Sequence, residues 1–136
     1  MRIAVISDIH GNFDAFQSVL SDIEDIGVDR IYCLGDNIGY GPEPMAVLET
    51  LQKREIRSVI GNHELALAHR RYLSWFNPAA RESLLKTAEM MTEAGLQYAA
   101  GLPRSMVNAG ARFVHGFPPD SPLIYLFQVS EKQMQK

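Results

Sequence analysis

The chain of 136 residues is poor in cysteine, in clustered positive charge and in long apolar runs. A single cysteine, Cys33, excludes an internal disulfide and disfavours a zinc site built on thiolates. The formal charge is -3, and no basic stripe extends beyond Arg70 and Arg71, which argues against nonspecific nucleic-acid binding. No apolar run approaches the ~20 residues of a membrane span, and no secretory leader is recognisable. We therefore expect a soluble, cytoplasmic protein that does not bind membranes.

What the chain does contain is typical of a globular protein. Hydrophobic residues make up 46% of the sequence and charged residues 21%, so we expect a single domain over residues 1–136. Cys33 lies in a predicted strand and is expected to be a small buried hydrophobic residue. The only tryptophan, Trp75, and its neighbour Phe76 are also expected in the core.

Three β-rich apolar runs are each followed directly by a polar cluster. Residues 2–6, 30–34 and 56–60 have the composition of buried strands. The clusters are Asp8-Ile9-His10, Gly35-Asp36-Asn37 and Gly61-Asn62-His63-Glu64. Apolar residues at helical spacing separate the strands, and Asn12 can cap the first helix. The order β-α-β-α-β predicts parallel strands whose carboxyl ends, and therefore all three clusters, meet at one edge of a sheet.

The second half of the chain predicts further helices and a hairpin. A short helix is expected from Glu64 to Arg71, and a longer one from Asn77 to about Tyr98. Residues 104–107 and 112–115 have the pattern of two strands joined by a glycine-containing turn. This places His115 at another strand end.

The residue types in these clusters are typical ligands of a pair of divalent metal ions. Asp8 and His10 are two apart, so in extended chain both side chains project to one side and can hold one ion. Asp36 is the candidate bridging ligand, while Asn62 and His115 would contribute to the second ion. The mixed oxygen and nitrogen donors suit manganese, iron or zinc better than calcium. Two such ions support hydrolysis of a phosphoester.

His63 and Glu64 have different predicted roles. A protonated His63 imidazole beside a bound phosphate could act as general acid, and Glu64 could orient His63 or a ligand from behind. Each cluster taken alone has another interpretation, because Gly35-Asp36-Asn37 is common turn chemistry and Asn62 could cap a helix. Their joint occurrence after three successive strands favours the metal site, since capping does not need the histidines.

Four segments carry a resemblance to a known family. They are Ser7 to Asn12, Gly35 to Pro42, Gly61 to Glu64 and Val114 to Pro118. In this order they resemble the signature blocks of the calcineurin-like metallophosphoesterase superfamily, in its bacterial phosphodiesterase-type branch. The resemblance implies an α/β fold in which a two-sheet β-sandwich is flanked by helices in four αββα layers.

The same resemblance implies a dinuclear site and a mechanism. Its metal ligands would be Asp8, His10, Asp36, Asn62 and His115. The reaction would be phosphoester hydrolysis by metal-bound hydroxide, with Asp36 and His63 as the catalytic residues and manganese as the preferred metal.

Two departures from the family pattern modify this expectation. Gly39 and Tyr40 stand where the protein phosphatase branch has an Asp-Arg pair, so phosphodiesters or small phosphorylated metabolites are the expected substrates. No Gly-His-x-His block follows His115, so the chain resembles a C-terminally short member with an incomplete second sheet and a ligand missing from each ion. Self-association is then expected, and the alternative function is a catalytically silent module for protein interaction.

Overall fold

The chain begins with a βαβαβ unit. A computed structural model describes residues 1–134. The elements of this unit are β1 (Ile3–Ile6), α1 (Phe13–Ile26), β2 (Arg30–Cys33), α2 (Pro44–Lys53) and β3 (Arg57–Ser58). β2 lies in the middle and pairs in parallel with β1 and β3. The predicted strand order and direction are confirmed, although β3 is shorter than the run 56–60. The carboxyl ends of the strands therefore lie at one edge.

The main core lies between the sheet and the first two helices. The buried residues there include Phe16, Leu20, Val47, Leu48 and Leu51, which pack with Cys33. Asn12 caps α1 as expected, because its Oδ1 accepts a hydrogen bond of 3.1 Å from the Ala15 N–H. Cys33 is fully buried, and burial raises the pKa of its thiol to about 11.

Four helical segments follow the sheet. They are α3 (Asn62–Ala68), a 3₁₀ helix (Arg70–Trp75), α4 (Pro78–Glu89) and α5 (Glu93–Ala100). The expectation of one helix from Asn77 to Tyr98 was wrong. Thr92 interrupts it, because its Oγ1 accepts a hydrogen bond of 3.1 Å from the Gly95 N–H and so starts a new helix.

The core position expected for Trp75 was also wrong, since 66% of the residue is exposed. It lies at the end of the 3₁₀ helix, in which residues three apart lie on the same side. Leu73 is buried, and Phe76, three residues later, packs against the same cluster. Trp75 therefore faces away from that cluster.

The second sheet is a hairpin of β4 (Ser105–Asn108) and β5 (Ala111–Val114). Ala109 and Gly110, both at positive φ, form its turn. The hairpin packs on the first sheet through Phe113, whose ring centroid is 4.6 Å from that of Tyr32. Two strands agree with the expected incomplete second sheet. A 3₁₀ helix (Leu126–Gln128) and α6 (Glu131–Met134) complete the described residues. Over residues 1–134, no helix combines the length and the apolar character needed to cross a membrane.

Candidate metal centre

The carboxyl edge of the sheet brings the predicted site residues together. Two sets of side chains each place their ligand atoms within 4.8 Å of one another. The first set contains Asp8, Asp36 and His115, and the second contains His10, Asp36 and His63. Asp36 belongs to both sets. The position of Asp36 between the two sets is compatible with the bridging role that its place in the sequence suggested.

Main-chain hydrogen bonds connect the loops that follow β1 and β2. The N–H groups of Asp8 and His10 donate to the carbonyls of Gly35 and Asp36, at 3.0 and 2.9 Å. Asp8, His10 and Asp36 all have left-handed backbone, with φ between 51° and 57°. This conformation costs about 1–2 kcal/mol for a residue other than glycine. It persists here because the surrounding hydrogen bonds determine the loop geometry.

Two histidines are oriented as metal ligands commonly are. His10 Nδ1 lies 3.1 Å from the Ile38 carbonyl oxygen, and His115 Nδ1 lies 2.8 Å from that of Leu34. Because a carbonyl only accepts, each Nδ1 carries the proton and each Nε2 keeps a lone pair. The Nε2 atoms of His10 and His115 lie 3.9 and 3.5 Å from Asp36 Oδ2. Both Nε2 atoms therefore face the same carboxylate.

Asn62 fills the space between these groups. With its NH₂ group turned inward, it donates to Asp36 Oδ2 at 3.0 Å and to His115 Nε2 at 2.8 Å. With the amide reversed, Oδ1 occupies this position and Tyr125 donates to it at 3.2 Å. The amide can therefore present either a donor to the two ligands or an oxygen to a cation.

Asp36 carries the strongest electrostatic perturbation of the site. It is 3% exposed, and burial together with the nearby carboxylates of Glu64 and Asp8 raises its pKa to about 8. A cation held between these groups would relieve that repulsion. The buried carboxylate and the two available imidazole lone pairs thus fit divalent transition metal ions.

Glu64 acts on the main chain rather than on the side chain of His63. It is fully buried, and its carboxylate accepts hydrogen bonds from four backbone N–H groups. The donors are Asp36 at 3.0 Å, Asn37 at 2.6 Å, Ile38 at 3.3 Å and Gly61 at 2.8 Å. Glu64 therefore holds the loop after β2 against the loop after β3, and with it the position of Asp36.

His63 lies in an aromatic environment. Its ring centroid is 4.6 Å from that of His10, 4.9 Å from Tyr40 and 5.1 Å from Phe76. Nδ1 is buried without a hydrogen-bond partner among residues 1–134. Burial, followed by the imidazoles of His10 and His115, lowers the pKa of His63 to about 3. Without a bound anion, His63 is thus neutral at pH 7.

These groups open into a cleft of about 420 Å³. Asp8, His10, Asp36, Asn62 and His63 line this cleft. Aromatic residues line it as well, including Tyr40, Trp75, Phe76 and Tyr125. Nothing in the sequence pattern singles out Tyr125, because it lies in a weak apolar run, residues 123–127, far from the polar clusters.

Comparison with known proteins agrees with this arrangement. The family model for calcineurin-like phosphoesterases matches residues 1–129. The chain belongs to the calcineurin-like phosphoesterase family. A solved metallophosphoesterase from Sphaerobacter thermophilus is 41% identical and superposes with a TM-score of 0.74, covering 93% of this chain and 51% of that one. The predicted family and fold class are therefore confirmed.

Two curated relatives of this calcineurin-like phosphoesterase differ in how much of the chain they match. An uncharacterised protein, MJ0912, of Methanocaldococcus jannaschii is 38% identical over 101 residues, which are 74% of this chain and 42% of that protein. The symmetrical bis(5'-nucleosyl)-tetraphosphatase of Wigglesworthia glossinidia brevipalpis is 42% identical over 66 residues, covering 46% of this chain and 24% of that enzyme. The chain spans less than half the length of these curated relatives.

Proposed function

We propose that this chain hydrolyses phosphoesters with the help of two divalent transition metal ions. Asp8, His10, Asp36, Asn62 and His115 would hold the ions, and manganese is the metal we would test first. The proposed substrates are phosphodiesters or small phosphorylated metabolites in the cytoplasm. Membership of the phosphoesterase family and the name of the tetraphosphatase relative support the reaction class.

The observation that carries the proposal is the place of Asp36 between two groups of ligand atoms. A buried carboxylate whose pKa is raised to about 8 favours a nearby cation. His10 and His115 approach it with Nε2 lone pairs whose direction is set by carbonyls at Nδ1. Among the described residues, His10 Nε2 has no hydrogen bond of its own and lies 3.7 Å from an Asp8 oxygen and 3.9 Å from an Asp36 oxygen, which suits a metal ligand.

The chain's own residues would position the substrate and supply a proton. Bound metal ions supply positive charge for the phosphoryl oxygens and lower the pKa of a water molecule. His63 lines the cleft beside His10, and one of its ring nitrogens lies within 4.8 Å of ligand atoms of His10 and Asp36. We propose that it donates a proton to the departing ester oxygen. This requires a bound phosphate anion to raise the pKa of His63 from its value of about 3.

The test is hydrolysis of bis(4-nitrophenyl) phosphate with added Mn²⁺. Asp36→Asn is expected to lower kcat/KM by at least about 100-fold, because it removes a charge that both ions would share. Asp25→Asn, which makes the same change at an exposed position of α1, is the matched control. Inactivity with every metal, or equal activity of the two variants, would contradict the proposal.

Metal content separates this proposal from the catalytically silent interaction module that the sequence leaves open. An enzyme of this kind should retain near-stoichiometric transition metal after reconstitution and gel filtration, measured by elemental analysis. A protein that retains none after reconstitution would support the module instead.

A further inference from the structure

The 3₁₀ helix Arg70–Trp75 has an outer side as well as the buried side that contains Leu73. Residues three apart lie on the same side of such a helix, so Tyr72 and Trp75 share the outer side. Their rings meet edge to face, with centroids 6.0 Å apart. Trp75 also lines the cleft of the candidate metal centre. The outer side of this helix therefore leads from the cleft to the surface around Tyr72.

The side chain of Tyr72 lies against a guanidinium group. Arg71 Cζ is 4.8 Å from the Tyr72 ring centroid, and Arg71 Nη2 donates a hydrogen bond of 3.0 Å to the Tyr72 hydroxyl. The hydroxyl proton itself has no acceptor within residues 1–134. The two contacts hold the guanidinium in one orientation, which lowers the entropy cost of ordering it on a ligand.

Arg104, just before β4, acts on the same hydroxyl. Arg71, by its hydrogen bond and its charge, and then Arg104 lower the pKa of Tyr72. Both arginines are exposed, and neither forms an ion pair with a carboxylate in the part of the chain that the structure describes. Two guanidinium groups and one hydroxyl proton thus meet at the surface without a negative partner.

The charge around Tyr72 is opposite to that of the whole chain. Residues 65–81 contain three arginines and no aspartate, glutamate or lysine, a formal charge of +3, whereas the chain carries -3. Arg81 has a structural role, because it donates to the carbonyls of Leu73 and Phe76 at 3.1 and 3.2 Å. Arg71 and Arg104 make no such bond among residues 1–134. Their adjacent positive charges repel each other, and a bound anion would offset that repulsion.

We infer that Arg71, Tyr72 and Arg104 form a second anion site, which binds a phosphate group outside the metal centre. Guanidinium groups match the geometry of phosphate oxygens, and the Tyr72 hydroxyl can donate to a further oxygen. The phosphate can be free inorganic phosphate, or a second phosphate on a molecule whose reacting ester lies in the cleft beside Trp75. This inference goes beyond the proposed function, and its first test does not depend on it.

The first test follows the side-chain Nε–Hε signals of Arg71 and Arg104 by NMR while inorganic phosphate is added at pH 7.5. Metal-free protein is used, so that phosphate on a metal ion does not contribute. Sodium chloride at the same ionic strength is the reference. Phosphate should shift both signals saturably and at lower concentration than chloride does, because its oxygens can accept from both guanidinium groups.

Three variants show whether these groups form the site. Arg71→Gln and Tyr72→Phe should each weaken phosphate binding about fivefold, measured on the Arg104 signal. Arg30→Gln makes the same charge change at an exposed position at the start of β2 and should change the affinity by less than about twofold. Shifts no larger than those caused by chloride, or equal weakening by Arg71→Gln and Arg30→Gln, would overturn the inference.

A kinetic comparison identifies the source of the phosphate. Thymidine 5'-(4-nitrophenyl phosphate) would be compared with its 3'-phosphorylated form, which has the same leaving group and one further phosphate. If a second phosphate on the substrate is the ligand, 3'-phosphorylation should raise kcat/KM about fivefold, and Arg71→Gln should remove this gain. If both substrates react equally while inorganic phosphate gives the NMR response, the site binds free phosphate.

The anion site and the proposed function can fail separately, since only the kinetic comparison needs hydrolysis. A protein that hydrolyses neither substrate but shows the NMR response of Arg71 and Arg104 has the anion site without the proposed reaction. A protein that hydrolyses diesters and loses this activity in Asp36→Asn, but shows no response to phosphate, has the reaction without the anion site.

Discussion

The residues of the candidate site come from two regions that are held in different ways. The N-terminal region, residues 1–68, supplies Asp8, His10 and Asp36 from loops and Asn62 from the start of α3, and main-chain hydrogen bonds and the buried Glu64 carboxylate join these segments. The C-terminal region, residues 105–134, supplies His115 and Tyr125 through side-chain contacts, at 2.8 Å to the Leu34 carbonyl and 3.2 Å to Asn62. Its surface includes Val107 and Phe127, which are 65% and 84% exposed.

The two kinds of attachment predict different responses to a single substitution. A ligand held by its backbone depends on everything that determines the loop, so a change at Glu64 affects several groups together. A residue held only through its side chain can be altered without moving the backbone of its neighbours. Substitutions in the two regions should therefore differ in the size of their effects.

The largest effect is expected at Glu64. Glu64→Gln replaces two acceptor oxygens by one oxygen and one NH₂ group, which leaves buried backbone donors without a partner. The free energy of unfolding of metal-free protein should fall by at least about 3 kcal/mol in urea denaturation at pH 7. Affinity for added metal should fall as well, because Asp36 loses its anchor. The control is Glu24→Gln, since the exposed Glu24–Arg54 pair should contribute about 1 kcal/mol or less. Equal effects of the two variants would contradict the anchoring role of Glu64.

The next largest effect is expected for the reactivity of the Cys33 thiol, compared between native and unfolded protein. With a pKa of about 11, Cys33 has roughly 100-fold less thiolate at pH 8 than a thiol at its ordinary value, and it is also buried. Native protein should therefore react with Ellman's reagent at least about 100-fold more slowly than unfolded protein. Introducing Val107→Cys on the exposed hairpin should add one fast-reacting thiol. Rapid labelling of native Cys33 would show that the N-terminal region opens far more readily than its hydrogen bonding implies.

The pH dependence of stability should report the buried Asp36. The folded protein keeps this proton up to about pH 8, whereas the unfolded chain releases it near pH 4, so stability falls as the pH rises between these values. His63 has the opposite effect below about pH 6.5, because its folded pKa is lowered to about 3. Between about pH 6.5 and 8, the shift of His63 no longer contributes, and the pH dependence of stability reports Asp36.

In that interval, the free energy of unfolding of metal-free protein should decrease by up to about 1.4 kcal/mol per pH unit. Asp36→Asn should remove this slope, and Asp25→Asn controls for the change in net charge. Urea denaturation at closely spaced pH values measures the effect. If the pH dependence of the unfolding free energy persists in Asp36→Asn, another titrating group causes it.

The smallest effect is expected for the hydroxyl of Tyr125. Tyr125→Phe removes a contact of 3.2 Å to Asn62 and leaves the ring in the cleft. Metal affinity should change by less than about fivefold, because the contact is partly exposed and one neutral hydrogen bond contributes about 1 kcal/mol or less. Isothermal titration calorimetry with Mn²⁺ measures this affinity in the wild type and in Tyr125→Phe. A loss comparable to that of Glu64→Gln would remove the distinction between the two regions.

Much of the N-terminal region could be predicted because its information is local in sequence. The strands end at Ile6, Cys33 and Ser58, one or two residues before their polar clusters, and parallel pairing then requires those clusters to lie at one edge. The structure brings all the predicted metal ligands together, although their roles stay predictions until metal is measured. Asn12 as the cap of α1 and Cys33 as a buried residue were predictable for the same reason.

The amino-acid sequence was therefore sufficient to predict the alternation of strands and helices, the residue types at the strand ends and the family. Three features emerge only from the packing of distant segments. Glu64 binds the main chain of a loop 26 to 28 residues earlier, His115 Nδ1 bonds to a carbonyl 81 residues away, and Trp75 faces the cleft instead of the core. Strand and helix patterns arise from neighbours along the chain, which any reader of the sequence can see. Hydrogen-bond partners and exposure depend on which distant segments pack together, and those contacts exist only in the folded molecule.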